Sequence, residues 1–67
     1  MPLITKVESV DGTFVVFSND FKIFEINGGK LMSYNNAHVL VKSDEGDVVD
    51  YDSYGNVLSV NGKLLKK

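Results

Sequence analysis

The sequence predicts an all-β protein, and three observations support this fold class. Turn-forming pairs such as Asp11-Gly12 and Asn61-Gly62 recur at short intervals along the 67 residues. Between them lie runs of about four to eight residues rich in Val, Ile, Phe and Tyr, which are typical of strands. No run of about ten residues keeps a helical spacing of apolar side chains, because Gly or Asn-Asn interrupts every candidate.

The turns divide the chain into short consecutive strands. In chain order the turn signals are Asp11-Gly12, Ser18-Asn19-Asp20, Asn27-Gly28-Gly29, Asn35-Asn36, Ser43 to Asp47, Ser53 to Asn56 and Asn61-Gly62. Asp-Gly and Asn-Gly tolerate positive φ at both central positions, so they favour tight type I′ hairpins. Consecutive strands joined by such turns usually pair with their neighbours. We therefore predict a small antiparallel up-and-down meander of about six to eight strands.

A repeat with a period of 17 residues organises these strands. The rows "VESVDGTFVVFSN", "FEINGGKLMSYNN", "VKSDEGDVVDYDS" and "LSVNGKLLKK" align at this spacing. Glycine and aromatic residues share the phase, at Gly12, Gly29 and Gly46 and at Phe17, Tyr34 and Tyr51. The repeat predicts four β-hairpins of about 17 residues, the last one shortened. Curling of the strands into a small barrel would remove the two open edges. An SH3-like barrel of five or six strands is the alternative.

The alternation of apolar residues predicts which side chains face the core. In the first hairpin, Val7, Phe14 and Val16 share one face with Ser9. In the second hairpin, pairing across Asn27-Gly28 places Phe24 opposite Leu31. Burying one phenylalanine contributes roughly 1.5 to 3 kcal/mol. We therefore expect all four phenylalanines to supply the core: Phe14, Phe17, Phe21 and Phe24.

The short length and the lack of cysteine indicate how the protein is built. Residues 1–67 make a single domain, and without Cys the chain has neither disulfides nor a thiolate zinc site. No cofactor is expected. The N-terminus "MPLITKVESV" lacks a basic segment followed by an apolar run, and no stretch reaches the roughly 20 apolar residues that span a bilayer. We therefore expect a soluble cytoplasmic protein, in the host cytoplasm if a phage encodes it.

Catalysis is not expected. Nucleophilic catalysis needs a base beside the nucleophile and a third group that orients the base. His38 is the only histidine, and the pattern "NAHVLV" places it at the start of a strand as a partly exposed residue. The carboxylate pairs in so small a chain are expected to be solvated rather than tuned as acid and base. The sequence therefore predicts a protein that is not an enzyme.

Acidic residues cluster in the third hairpin and its link. The carboxylates are Asp44, Glu45, Asp47, Asp50 and Asp52, and they are accompanied by Tyr51 and Tyr54. Tyrosine is favoured at protein interfaces. These seven residues predict a binding site for a partner protein, one with a basic surface. We expect a non-enzymatic interaction module that acts as a small inhibitor, adaptor or assembly part, of a kind common in phages and mobile elements.

The acidic residues are also compatible with two other functions, ligand binding and mimicry of a nucleic acid. Asp50, Asp52 and Gly55 match positions 1, 3 and 6 of a calcium loop, although Tyr54 and Asn61 replace other ligands. Asp50 and Asp52 are thus weak metal candidates, and a calcium- or small-ligand-binding module is the alternative. Mimicry of a nucleic acid by the carboxylates is a minority alternative.

Direct nucleic-acid binding is not expected at a net charge of -2. A homo-oligomer is also considered, because a second copy would cover an exposed edge or second apolar face.

Overall fold

The computed structural model describes residues 2–65, and these residues form eight strands. The strands are β1 (Lys6–Val10), β2 (Thr13–Ser18), β3 (Phe21–Asn27), β4 (Lys30–Tyr34), β5 (His38–Lys42), β6 (Val48–Asp52), β7 (Val57–Val60) and β8 (Lys63–Leu64). Met1, Lys66 and Lys67, which belong to the predicted domain, lie outside the described residues. Within residues 2–65 no helix is long and apolar enough to cross a membrane.

The strands form two antiparallel sheets. The first sheet has the order β1-β2-β3 and the second has the order β4-β5-β6-β7-β8. Each strand within a sheet pairs with its neighbour in the chain. The predicted all-β antiparallel meander is confirmed, and eight strands fit it better than the five or six of the SH3-like alternative. Closure of the strands into a barrel stays a prediction.

Two of the predicted turns adopt the expected tight geometry. Asp11 and Gly12 have φ values of 50° and 79°, and Asn61 and Gly62 have values of 52° and 84°. Both pairs connect strands through two residues, since Val10 pairs with Thr13 and Val60 pairs with Lys63. Positive φ at both central residues matches the twist of the flanking strands. The local sequence is therefore sufficient to set these two hairpins.

The second predicted hairpin does not form, because β3 and β4 belong to different sheets. The Gly28 N–H extends the ladder of the first sheet by donating to the Gly12 carbonyl at 2.9 Å. The Gly29 N–H instead donates to Asp44 Oδ1 at 3.1 Å. These two glycines, with φ values of 80° and 77°, turn the chain from one sheet to the other. The predicted pairing of Phe24 with Leu31 is therefore wrong.

Close packing explains why a glycine stands at this crossing. A Cβ atom on Gly29 would lie 2.6 Å from the Lys42 carbonyl oxygen. Real Cβ atoms do not approach a carbonyl so closely, and the positive φ adds strain for any other residue. Gly29 thus allows β4 to leave the first sheet and begin the second beside β5.

The core contains buried side chains from both sheets and from the segment before β1. Its buried apolar members are Ile4, Val16, Ile26, Val39 and Val41. Half-buried residues pack around them: Val7, Phe14, Ile23, Phe24, Leu31 and Tyr51. The register pairs Val7 with Val16 and Ser9 with Phe14, which confirms the predicted core face of the first hairpin.

The segment before β1 also bonds to both sheets. The Ile4 N–H donates to the Asn36 carbonyl at 2.8 Å, and the Asn36 side-chain amide donates to the Ile4 carbonyl at 2.9 Å. The next residue, Thr5, donates its N–H to the Phe17 carbonyl at 2.9 Å. These bonds connect β2 of the first sheet to the turn between β4 and β5 of the second.

Two of the four phenylalanines lie outside the core, contrary to the prediction. Phe21 is 76% exposed, and the ring of Phe17 lies beneath Lys6 Nζ, which is 4.7 Å from the ring centroid. Phe17 follows buried Val16 in β2, so period-two alternation turns its side chain away from the core. Phe21 is the first residue of β3 and pairs with Ser18 at the end of β2. Its exposure places it beyond the buried part of the first sheet.

Candidate functional site

Strand β6 determines where the predicted binding residues lie. Tyr51 faces the core and packs against Phe24, whereas neighbouring Asp50 faces the opposite side of the sheet, where it contacts His38. Asp44, Glu45 and Asp47 belong to the turn before β6, and Tyr54 belongs to the turn after it. The seven predicted residues are thus distributed over two turns and both faces of one strand. Their role in partner binding stays a prediction.

The turn before β6 is held by its own polar groups. Asp47 donates its N–H to Ser43 Oγ at 3.1 Å, and its carbonyl accepts from the Ser43 N–H at 2.7 Å. Asp47 Oδ1 accepts from the Asn61 side-chain amide at 3.0 Å. Asp44 Oδ1 accepts from the Gly29 N–H. Glu45 is exposed and makes no side-chain hydrogen bond within residues 2–65. The backbone around Glu45 is therefore fixed by hydrogen bonds in which the Glu45 carboxylate takes no part.

The turn after β6 depends on Asp52. Its Oδ1 atom accepts from the backbone N–H groups of Tyr54 and Asn56, each at 2.9 Å. A carboxylate that accepts from the N–H two residues ahead is a common way to form a turn. Tyr54 at the tip is 59% exposed. Asp52 thus stabilises the turn, and the turn exposes Tyr54 to solvent.

The described residues bring few potential ligands together for a bound cation. Calcium takes six to eight oxygen ligands, and within residues 2–65 no group of three His, Cys, Asp or Glu side chains lies close enough to hold a metal. Asp50 bonds to His38 and Asp52 bonds to its own turn. Calcium binding by these two residues stays a prediction. A rise in melting temperature in millimolar calcium that Asp50→Asn abolishes would support it.

The outer face of the second sheet carries a cavity that the sequence did not predict. The cavity has a volume of about 280 Å³ and is lined by Ser33, Tyr34, Asn35, His38, Leu40 and Asp50; we call it the outer cavity. His38 Nδ1 lies 3.2 Å from Asp50 Oδ1. The alternation of side chains along β5 could have indicated part of this lining. Val39 and Val41 face the core, so His38 and Leu40 must face outward.

Cross-strand register accounts for this grouping. Ser33 of β4 pairs with Leu40 of β5, and Leu40 pairs with Asp50 of β6. Directly paired residues in an antiparallel sheet project on the same face. The same row continues to Ser59 of β7, which pairs with Asp50. The sheet therefore brings residues of four consecutive strands to one surface.

Most of the acidic side chains lack a cationic partner among the described residues. Within residues 2–65 the ion pairs within 4.0 Å join Lys6 to Glu8 and Lys22 to Glu25, and Asp50 contacts His38, which is cationic only when protonated. None of these pairs includes the four remaining carboxylates of the predicted site: Asp44, Glu45, Asp47 and Asp52. The surface around both turns of β6 is therefore negatively charged, although Lys30 and Lys42 line a neighbouring cavity with Asp44.

Comparison with known proteins does not assign the protein to a family. No protein-family model, curated protein or solved structure matches the chain.

Proposed function

We propose that this protein is a non-enzymatic interaction module that binds a partner protein through residues 38–56, which we call the acidic hairpin. The observation that supports this proposal is the uncompensated charge of the acidic hairpin within the described residues. Both of its turns have backbones held by hydrogen bonds. A rigid charged surface loses little conformational entropy on binding. The partner's surface would be basic.

Exposed aromatic and apolar residues are available to support such an interface. Tyr54 projects from the tip of the turn after β6, and Val57 begins the adjacent strand with 36% of its surface exposed. Aromatic side chains provide much of the binding free energy at protein interfaces, whereas peripheral charges mainly raise association rates. In this proposal Tyr54 anchors the partner, and the carboxylates select a basic one.

The proposal is tested by capturing partners on the immobilised full chain from a lysate of the cells that produce it. The captured protein is identified by mass spectrometry, and its affinity is then measured in solution with purified components. Glu45→Lys is the informative variant, because Glu45 makes no internal hydrogen bond within residues 2–65. We expect it to weaken binding by about tenfold at low salt, with a smaller effect at high salt.

A matched variant separates local from overall charge. Asp20→Lys changes the net charge by the same amount at an exposed position in the turn between β2 and β3. It should bind as the unmodified protein does. If Glu45→Lys and Asp20→Lys have equal affinities, the acidic hairpin is not the binding surface.

A further inference from the structure

The outer cavity presents hydrogen-bond acceptors beside an apolar surface. A carboxylate can only accept, so the hydrogen between His38 and Asp50 belongs to His38 Nδ1. In the neutral imidazole the second ring nitrogen is then an acceptor. Asp50 Oδ2 makes no hydrogen bond within residues 2–65, and 25% of the Asp50 side chain is exposed. Two acceptors, one of them charged, are therefore available to an occupant.

The other lining residues suit a cation with an aliphatic stem. Leu40 is half-buried in the lining and provides apolar contact, while Tyr34 provides an aromatic ring. Guanidinium groups stack on aromatic rings and donate in a planar fork to pairs of acceptors. An ammonium is a more strongly hydrated point charge and uses such a site less well. The chemistry of the outer cavity therefore favours a guanidinium group.

The size of the outer cavity limits the occupant. Pockets for drug-sized ligands range from about 300 to 1,000 Å³, and the outer cavity, at about 280 Å³, is below that range. It is also open to the surface, since His38 keeps 46% of its side chain exposed. A volume of this size on an open sheet face suits one side chain that projects from a larger molecule.

We propose that the outer cavity binds an arginine side chain of a partner protein, with the guanidinium group donating to Asp50 and His38. Ser33 and Tyr34 border the entrance, and Leu40 contacts the aliphatic part of the arginine. This inference rests on the proposed function for the identity of the occupant as part of a protein. The chemistry of the cavity itself can be tested without any partner.

The test is a titration of the isotope-labelled full chain with N-acetyl-arginine methylamide, followed by amide chemical shifts. We expect saturable shifts centred on Leu40 and Asp50, with a dissociation constant in the millimolar range for a ligand with so few atoms. N-acetyl-citrulline methylamide, which has a similar shape but no charge, should bind at least about tenfold more weakly, because hydrogen bonds to charged groups are the stronger ones.

Variants locate the binding within the molecule. Asp50→Asn keeps the shape of the side chain and should weaken arginine binding by about tenfold. Glu25→Gln removes an exposed carboxylate from the first sheet and should leave binding unchanged. If Asp50→Asn disturbs the fold, Ser33→Trp at an exposed position serves instead, since the indole fills the cavity and should abolish the shifts.

Three results would overturn the inference. They are the absence of saturable shifts, equal binding of the citrulline compound, and equal losses in Asp50→Asn and Glu25→Gln. Such results would leave the capture experiment with Glu45→Lys unaffected, because no partner enters the titration. Conversely, failure to capture a partner would count against the proposed function without changing the measured affinity for the arginine compound.

Discussion

The ring of Phe24 in β3 lies against the ring of Tyr51 in β6, with centroids 6.4 Å apart and planes inclined by 34°. The two residues belong to different sheets, so their contact helps to hold the first sheet to the second. A domain of this size buries only about 60% of the surface of its unfolded chain. Few contacts between the sheets can therefore be lost without unfolding.

We predict that Phe24 and Tyr51 contribute cooperatively to the free energy of unfolding. Phe24→Leu and Tyr51→Leu should each destabilise the protein, with a coupling energy of about 0.5 to 1.5 kcal/mol between them. Urea unfolding of both single variants and the double variant measures this coupling. As a control, Phe21→Leu should be additive with Tyr51→Leu, because the Phe21 side chain is mostly exposed. Equal coupling in both cycles would contradict a specific contact.

We predict that Gly55→Ala destabilises the protein more than Gly62→Ala does. Both glycines have positive φ, 86° and 84°, so the backbone strain on substitution is similar. A Cβ atom on Gly55 would lie 3.0 Å from Phe24 Cγ, whereas one on Gly62 would meet nothing within 4 Å. Overpacking adds about 1 to 3 kcal/mol. Thermal unfolding should show this difference, and Phe24→Leu should reduce it by relieving the contact.

We predict that Ser53→Ala preserves or raises stability. Ser53 has 0% of its surface exposed, and its Oγ atom has no hydrogen-bond partner within the described residues. An unsatisfied buried hydroxyl costs about 1 to 3 kcal/mol, so its removal should be neutral or favourable. Ser43→Ala is the matched comparison, because Ser43 Oγ accepts from the Asp47 N–H; it should cost about 1 kcal/mol. Chemical denaturation that ranks the two variants in the reverse order would contradict this prediction.

We predict that Asp52 stabilises the turn through its Oδ1 atom rather than through its charge. Asp52→Ala removes the acceptor for two backbone N–H groups and should cost about 1 to 2 kcal/mol. Asp52→Asn keeps an oxygen in the same position and should recover most of that loss. Glu45→Ala, at an exposed position of the other turn, should change stability by less than about 0.5 kcal/mol. Denaturation midpoints measure all three, and equal losses in the Ala and Asn variants would show that charge is the stabilising feature.

Part of the fold follows from local sequence. Asp11-Gly12 and Asn61-Gly62 adopt the positive φ values that their residue types favour, and the first hairpin has the predicted register. In each case neighbours in the chain supply the interactions that decide the geometry.

Other features depend on contacts between distant segments. The repeat places Asn27-Gly28-Gly29 in line with the hairpin at Asp11-Gly12, yet these glycines connect two sheets. The difference arises because Gly29 meets Asp44 and Lys42, which are remote in sequence. The outer cavity escaped prediction for the same reason, since His38 and Asp50 meet only once β5 pairs with β6.

The all-β class, the positions of the turns and the alternation that supplies a core face follow from the order of the residues along the chain. These properties depend on backbone preferences and on side-chain periodicity, which act over a few residues. Three other properties arise only when the chain packs in three dimensions: which strands share a sheet, which phenylalanines are buried and which carboxylate faces His38. Those outcomes depend on bulges and on close packing between distant segments.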